Sequence, residues 1–110
     1  MKLLTKAHYD QLIKNGQKQE PVRGTEDEID FVPVVKLFNP SGIGTWLLTE
    51  LDPENPDIAF GLCDIGFPEL GSVSIKELES VRGPFGLGIE RDRHWTAQKT
   101  ITAYAREASI

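Results

Sequence analysis

Apolar positions along this chain come in short runs whose spacing changes from helical to alternating and back, with polar, proline- and glycine-rich segments between them. Thr5 is placed to cap a first helix from Lys6 to about Asn15, in which Ala7, Tyr9, Leu12 and Ile13 form a narrow apolar stripe and Gly16 offers a left-handed stop. Residues 17–30 are almost all polar and present no face for burial, so they are expected as a surface or mobile loop. Residues 32–38 are β-branched and aromatic, and Pro33 places them at a sheet edge or a strand's beginning. The turn formers of 39–44 lead into a second extended run, 45–51, so the two predict a hairpin.

A second turn, 52–57, leads to a third strand, 58–63. Pairing Leu51 with Ile58 sets Thr49 opposite Phe60 and Leu47 opposite Leu62 on one face, with Trp46 opposite Cys63 and Leu48 opposite Gly61 on the other. Small side chains at Ala59, Gly61 and Cys63 would then let the Trp46 ring or a helix approach the sheet closely. Residues 64–71 read as a turn, and Ser74-Ile75-Lys76-Glu77 matches a capping box that opens a short helix through about Val81. After a loop at 83–88, residues 89–95 alternate as a fourth strand, and Ile101, Tyr104, Ala105 and Ala108 share one face of a terminal helix. The expected fold is a single α+β domain over 1–110. It has a mainly antiparallel sheet of about four strands, an N-terminal helix, a short middle helix and a C-terminal helix, with helices against one face.

Composition narrows the setting. A lone cysteine cannot form an internal disulfide and suits a reducing cytoplasm. The apolar start stops after Leu3-Leu4, and no run approaches the roughly 20 residues that span a bilayer, so neither export nor a membrane partner is expected. Net charge is −5, with six basic and twelve acidic residues in 1–75 against six and five in 76–110. That balance disfavours direct nucleic-acid binding and favours a basic or neutral protein partner.

Chemistry-bearing residues are few. Cys63 with His94 has the ingredients of a thiol nucleophile and its base, but Cys63 sits in an apolar run beside Asp64, a setting that suits a buried structural cysteine. Glu90, Asp92 and His94 alternate on the fourth strand and could share a divalent ion, whereas Arg91 and Arg93 between them favour a solvated face of mixed charge. No cofactor is implied: the glycines of 83–88 lack the lysine and preceding strand of a phosphate loop. Glu26, Asp27, Glu28 and Asp30 could offer an anionic surface to a basic protein, or form an ordinary solvated loop. His8 is expected at the surface. Trp46, Gly61, Cys63, Asp64, Glu69 and Arg91 are read as structural, with Asp64 and Glu69 anchoring Arg82 or Arg91 across the turn.

From about Pro33 to Trp95 the chain resembles a bacterial domain-of-unknown-function family, number 2958. The carriers are Val35–Pro40, Thr45–Pro53, Phe60–Asp64, Pro68–Gly71 and Gly86–Asp92; the turn 64–68 is shorter than the resemblance leads one to expect. The resemblance implies an accessory gene of plasmids, phages or other mobile elements, in the company of antirestriction and plasmid-maintenance functions. It brings no catalytic residues. The expected function is a small cytoplasmic non-enzymatic binding module for a host or element-encoded protein, of the counter-defence (antirestriction or anti-CRISPR) type. Two alternatives stand beside it: a metal- or thiol-dependent hydrolase using Glu90, Asp92, His94 and Cys63, and a structural component of a homo-oligomer.

Overall fold

The computed structural model describes residues 2–109. Its elements are α1 (Lys6–Gln19), a 3-10 turn (Glu20–Val22), β1 (Val35–Phe38), β2 (Thr45–Asp52), β3 (Asn55–Asp64), β4 (Pro68–Ser74), α2 (Ile75–Ser80), a second 3-10 turn (Pro84–Gly86), β5 (Glu90–Arg91) and α3 (Ile101–Ala108). The strands form one antiparallel sheet in the order β4-β3-β2-β1-β5. The α+β class, the antiparallel sheet and the three helices are as the sequence predicts, with one strand more.

Thr5 caps α1 by accepting the His8 N–H at 3.1 Å. The helix does not stop at Gly16 but runs through it for another turn, because Gly16 lies on the face turned to the sheet. A Cβ there would stand 1.9 Å from the Leu51 carbonyl oxygen, so the residue is a contact point rather than a stop. The same face buries Leu12, Asn15 and Gln19, and Asn15 donates its side-chain amide to Thr49 O at 2.8 Å. Gln19 also holds the following loop: its amide donates to Ile29 O and accepts from Ile29 N–H, each at 2.8 Å. The segment 17–30 is therefore partly helix and is tied back to α1.

Trp46 pairs with Cys63, Leu47 with Leu62 and Leu48 with Gly61, as the sequence implies. The register then shifts by one, so that Glu50 pairs with Phe60 and Leu51 with Ala59, and the predicted Thr49–Phe60 and Leu51–Ile58 pairs do not form. Thr49 is the extra residue of a β-bulge. Its carbonyl turns to Asn15 and its hydroxyl donates to Phe60 O at 3.2 Å. The bulge reverses the alternation beyond it: Leu51 joins the core beneath α1, and Glu50 swings to the opposite face.

Two cores result. Leu12, Val35, Leu37, Trp46, Leu48, Leu51, Ala59, Ile75 and Leu78 pack between the sheet and α1 and α2. Leu47, Leu62 and Ile101, with Trp95, Tyr104 and Ala105, pack on the other face beneath α3. Helices thus cover both faces, not one, because Leu47 and Leu62 alternate with Trp46 and Cys63 and need their own cover.

Residues 68–71, expected within a turn, begin β4, which pairs with β3 without interruption from Ile58–Ser74 to Asp64–Pro68. The expected fourth strand shrinks to Glu90–Arg91 on β1. Ser74 caps α2 as predicted, accepting Glu77 N–H at 3.2 Å, and Asp57 adds a second cap to Lys76 N–H at 2.9 Å. Thr100 makes no side-chain cap for α3; Asp30 supplies it across the chain, accepting the Thr102 N–H at 3.2 Å and its hydroxyl at 2.5 Å. Asp30→Ala is accordingly expected to cost about 1 kcal/mol, the usual worth of a cap, measured as a lower urea midpoint with earlier hydrogen exchange in α3.

Candidate functional site

Backbone register brings three loops to one end of the sheet. Phe38 is level with Thr45 and Glu90, and Thr45 with Asp64, which faces Pro68. The connections 39–44 and 65–67, and the segment entering β5, therefore all project beyond this row. Gly83 sits beside the first of them, where a Cβ would be 3.5 Å from that of Ser41.

Side-chain hydrogen bonds hold two of these loops in shape. Asn39 Oδ1 accepts Ser41 N–H at 3.0 Å, Asn39 N–H donates to Gly44 O at 2.9 Å, and Asp64 Oδ1 accepts Gly66 N–H at 3.1 Å. What they present is apolar: Ile43 is 73% exposed, Ile65 65%, Phe67 80% and Phe85 98%. Phe85 also has φ 61° and ψ 20°, the left-handed region that costs a residue with a Cβ about 1 kcal/mol or more. An aromatic side chain held in solvent on a strained backbone gains nothing for the isolated fold. Between this end and the α3 face lies an open cleft of about 480 Å³, lined by Lys36, Phe38, Asn39, Thr45, Asp64 and Asp92.

The thiol and imidazole of the sequence-based hydrolase are not brought together. Cys63 is on β3, and His94 follows β5, three strands away and thus about 14 Å by strand spacing. Cys63 is half-buried against the α1 and α2 core, and burial, then the Glu69 carboxylate beside it, raises its pKa above the ordinary thiol value, opposite to activation. Glu90 lies on β5, but alternation ends at Arg91. Asp92 Oδ1 accepts the His94 N–H at 3.1 Å in a turn, and among the described residues no three His, Cys, Asp or Glu side chains group as metal ligands.

Other predicted roles move. Arg91 does not reach Asp64 or Glu69; it donates to Leu3 O at 2.5 Å, while Leu3 N–H donates to Glu79 at 2.9 Å, so the N-terminal segment is clasped between α2 and β5. Arg82 turns to the Glu79 and Val81 carbonyls, both on its own side of the molecule. Gly61 does make room, but for backbone: its Cβ would meet Leu47 O at 1.9 Å rather than the Trp46 ring. His8 is partly buried with Nδ1 unpartnered, and burial, then Arg91, lowers its pKa. In the acidic run, Glu26 and Asp27 are exposed, Glu28 accepts Gly24 N–H at 2.6 Å, and Asp30 is the α3 cap. Burial opposes the Asp30 charge, but bonds from Thr102 and Thr100 with Arg106 nearby hold its pKa below the ordinary carboxylate value.

Glu50 is the group that sequence reasoning missed. It is 3% exposed and contacts Arg23 at 3.4 Å and the Thr49 hydroxyl at 3.3 Å, in a small cavity beside Gln19 and Ile101. Its only signal was a carboxylate inside an otherwise apolar strand. Among the described residues no helix is long and apolar enough to cross a membrane.

A family model described as "Protein of unknown function (DUF2958)" matches residues 3–110. No curated protein and no solved structure matches the chain.

Proposed function

We propose that this chain, which belongs to the DUF2958 family of proteins of unknown function, is a small non-enzymatic protein-binding module that grips its partner with the loop end of the sheet. The observation that carries this reading is Phe85, fully exposed in a left-handed conformation at the end of the sheet that also exposes Ile43, Ile65 and Phe67. A partner that buried these side chains would offset both their exposure and the backbone cost. The partner is a basic protein, host- or element-encoded. The net charge of −5 steers such a protein inward, and Asp64 and Glu90 stand in the end row of the sheet from which the apolar loops project.

The narrower role is counter-defence in the cytoplasm of a bacterium carrying a mobile element. An acidic module whose apolar loops dock on a nucleic-acid-binding protein competes with the phosphate backbone for that protein's cations, and so blocks a restriction or CRISPR nuclease without catalysis of its own.

The test is capture from host lysate with the wild-type chain and with Phe67→Ser/Phe85→Ser, followed by binding of the purified candidate to both. A basic nucleic-acid-binding protein should bind the wild type at least about tenfold more tightly than the double variant, since losing one buried aromatic anchor costs more than 1 kcal/mol. Equal binding by both proteins, or no protein enriched by the wild type, would sink the proposal.

A further inference from the structure

We propose that the outer edge of β4 pairs with the same edge of a second copy of this chain, giving a two-fold dimer with one sheet continuous across both copies. Away from the loop end, β4 leaves a row of backbone groups free along its outer side. Val34 N–H donates to Leu48 O at 2.8 Å, so Leu48 turns its backbone groups to β1, and Leu47 turns its own to β3. The Thr49 hydroxyl reaches Phe60 O from β2, which fixes the same phase on β3. Backbone groups of successive residues point to alternate sides. Leu62 therefore faces β2, Gly61 faces β4 and its partner Gly71, and the N–H and C=O of Leu70 and Ser72 face outward.

The usual protections of an edge are missing along this stretch. No bulge interrupts the seven β3–β4 pairs, no lysine occupies β4, and Pro68 stands only at its start. Leu70 is 43% exposed and Ser72 is exposed.

The edge is complementary to itself. A two-fold axis through Gly71 sets Leu70 against the partner's Ser72, and each exchanges both of its backbone hydrogen bonds with the residue opposite, four bonds in all by symmetry. Gly71 then meets the partner's Gly71 in the closely spaced position that a pair without side chains fills best. No like charges are opposed: Glu69 falls opposite the partner's Val73, at the end where α2 begins and where Lys76 is exposed without an ion pair among the described residues.

Sedimentation of the full chain from micromolar to millimolar concentration should give a mass of twice 12.3 kDa. Ser72→Pro removes an outward N–H and leaves the β3–β4 ladder intact, so it should weaken self-association by at least about tenfold while the circular dichroism is unchanged. Should that variant fold poorly, Leu70→Lys/Ser72→Lys, which sets lysines opposite one another, supplies the same test on two exposed side chains. A Cβ at position 71 meets nothing within 4 Å in the monomer, and across the axis the Cα of residue 71 would lie about 4.5 Å from its mate. Gly71→Cys in a Cys63→Ser chain should thus form an intermolecular disulfide on mild oxidation. A monomer at every concentration, a dimer indifferent to both edge variants, or a dimer that Gly71→Cys leaves uncrosslinked would each overturn the proposal.

Discussion

Gly61→Val is expected to cost about 3 kcal/mol or more, a large part of the roughly 5–15 kcal/mol by which small domains are stable. The added Cβ would stand 1.9 Å from Leu47 O and 2.9 Å from Leu48 Cα, both backbone atoms of the neighbouring central strand, so no rotamer change relieves the clash. β2 and β3 would have to separate where the sheet carries its core on both faces. Gly16→Ala should act in the same direction, against its usual sign. Alanine ordinarily stabilises a helix interior by up to about 1 kcal/mol over glycine, but here the methyl meets Leu51 O at 1.9 Å. Urea unfolding followed by circular dichroism checks both, with Gly71→Ala, where nothing lies within 4 Å, expected to stay within about 0.5 kcal/mol of wild type. Wild-type midpoints for Gly61→Val and Gly16→Ala would show that these glycines are not close-approach points.

Those two glycines mark where local pattern was legible and where it was not. Period and caps place Thr5, Ser74 and all of the α3 stripe but Ala108, which is exposed, because a cap is satisfied within a few residues of itself and a helical stripe within a few turns. Gly16 looked like a helix stop because its reason for being glycine lies at Leu51, far along the chain. β4 was hidden for a similar cause: Pro68, Gly71 and two serines are turn formers by local preference, and only the unbroken ladder to β3 makes them a strand. The hydrogen-bonded turns of the candidate site, Asn39–Gly44 and Asp64–Pro68, were visible as turns. Their shared end, and the exposure of Ile43, Phe67 and Phe85 there, depends on strand order, which neighbouring residues do not encode.

The bulge at Thr49 sets the second large effect. Strict alternation would send Glu50 to the α1 side; the extra residue sends it to the α3 side, where it is buried and meets one guanidinium, that of Arg23. Burial raises the Glu50 pKa above its ordinary 4.5, with Arg23, Gln19 and Thr49 pulling the other way. Arg23→Ala is therefore expected to destabilise the fold by roughly 1–2 kcal/mol at neutral pH, less than the loss for a fully buried pair, because the Arg23 side chain is half exposed and Glu50 can take up a proton. Glu50→Gln in the Arg23→Ala background should restore most of that loss.

The pH dependence has a definite sign. With its folded pKa above the unfolded one, Glu50 binds more protons in the folded state, so stability rises as pH falls from neutral through the raised value toward 4.5. In Arg23→Ala the rise should be steeper, and in Glu50→Gln it should vanish. Asp30 and Asp57 act in a separate window: their folded pKa values lie below 3.8, so their contributions persist above that value and are lost as pH falls further. Urea midpoints taken from pH 7 to pH 3 should thus pass through a maximum in the wild type, with the neutral-side slope removed by Glu50→Gln and the acid-side loss retained. A neutral-side slope that survives Glu50→Gln would place the buried proton elsewhere, and an Arg23→Ala chain as stable as wild type at pH 7 would mean that the Glu50 carboxylate has no need of its guanidinium.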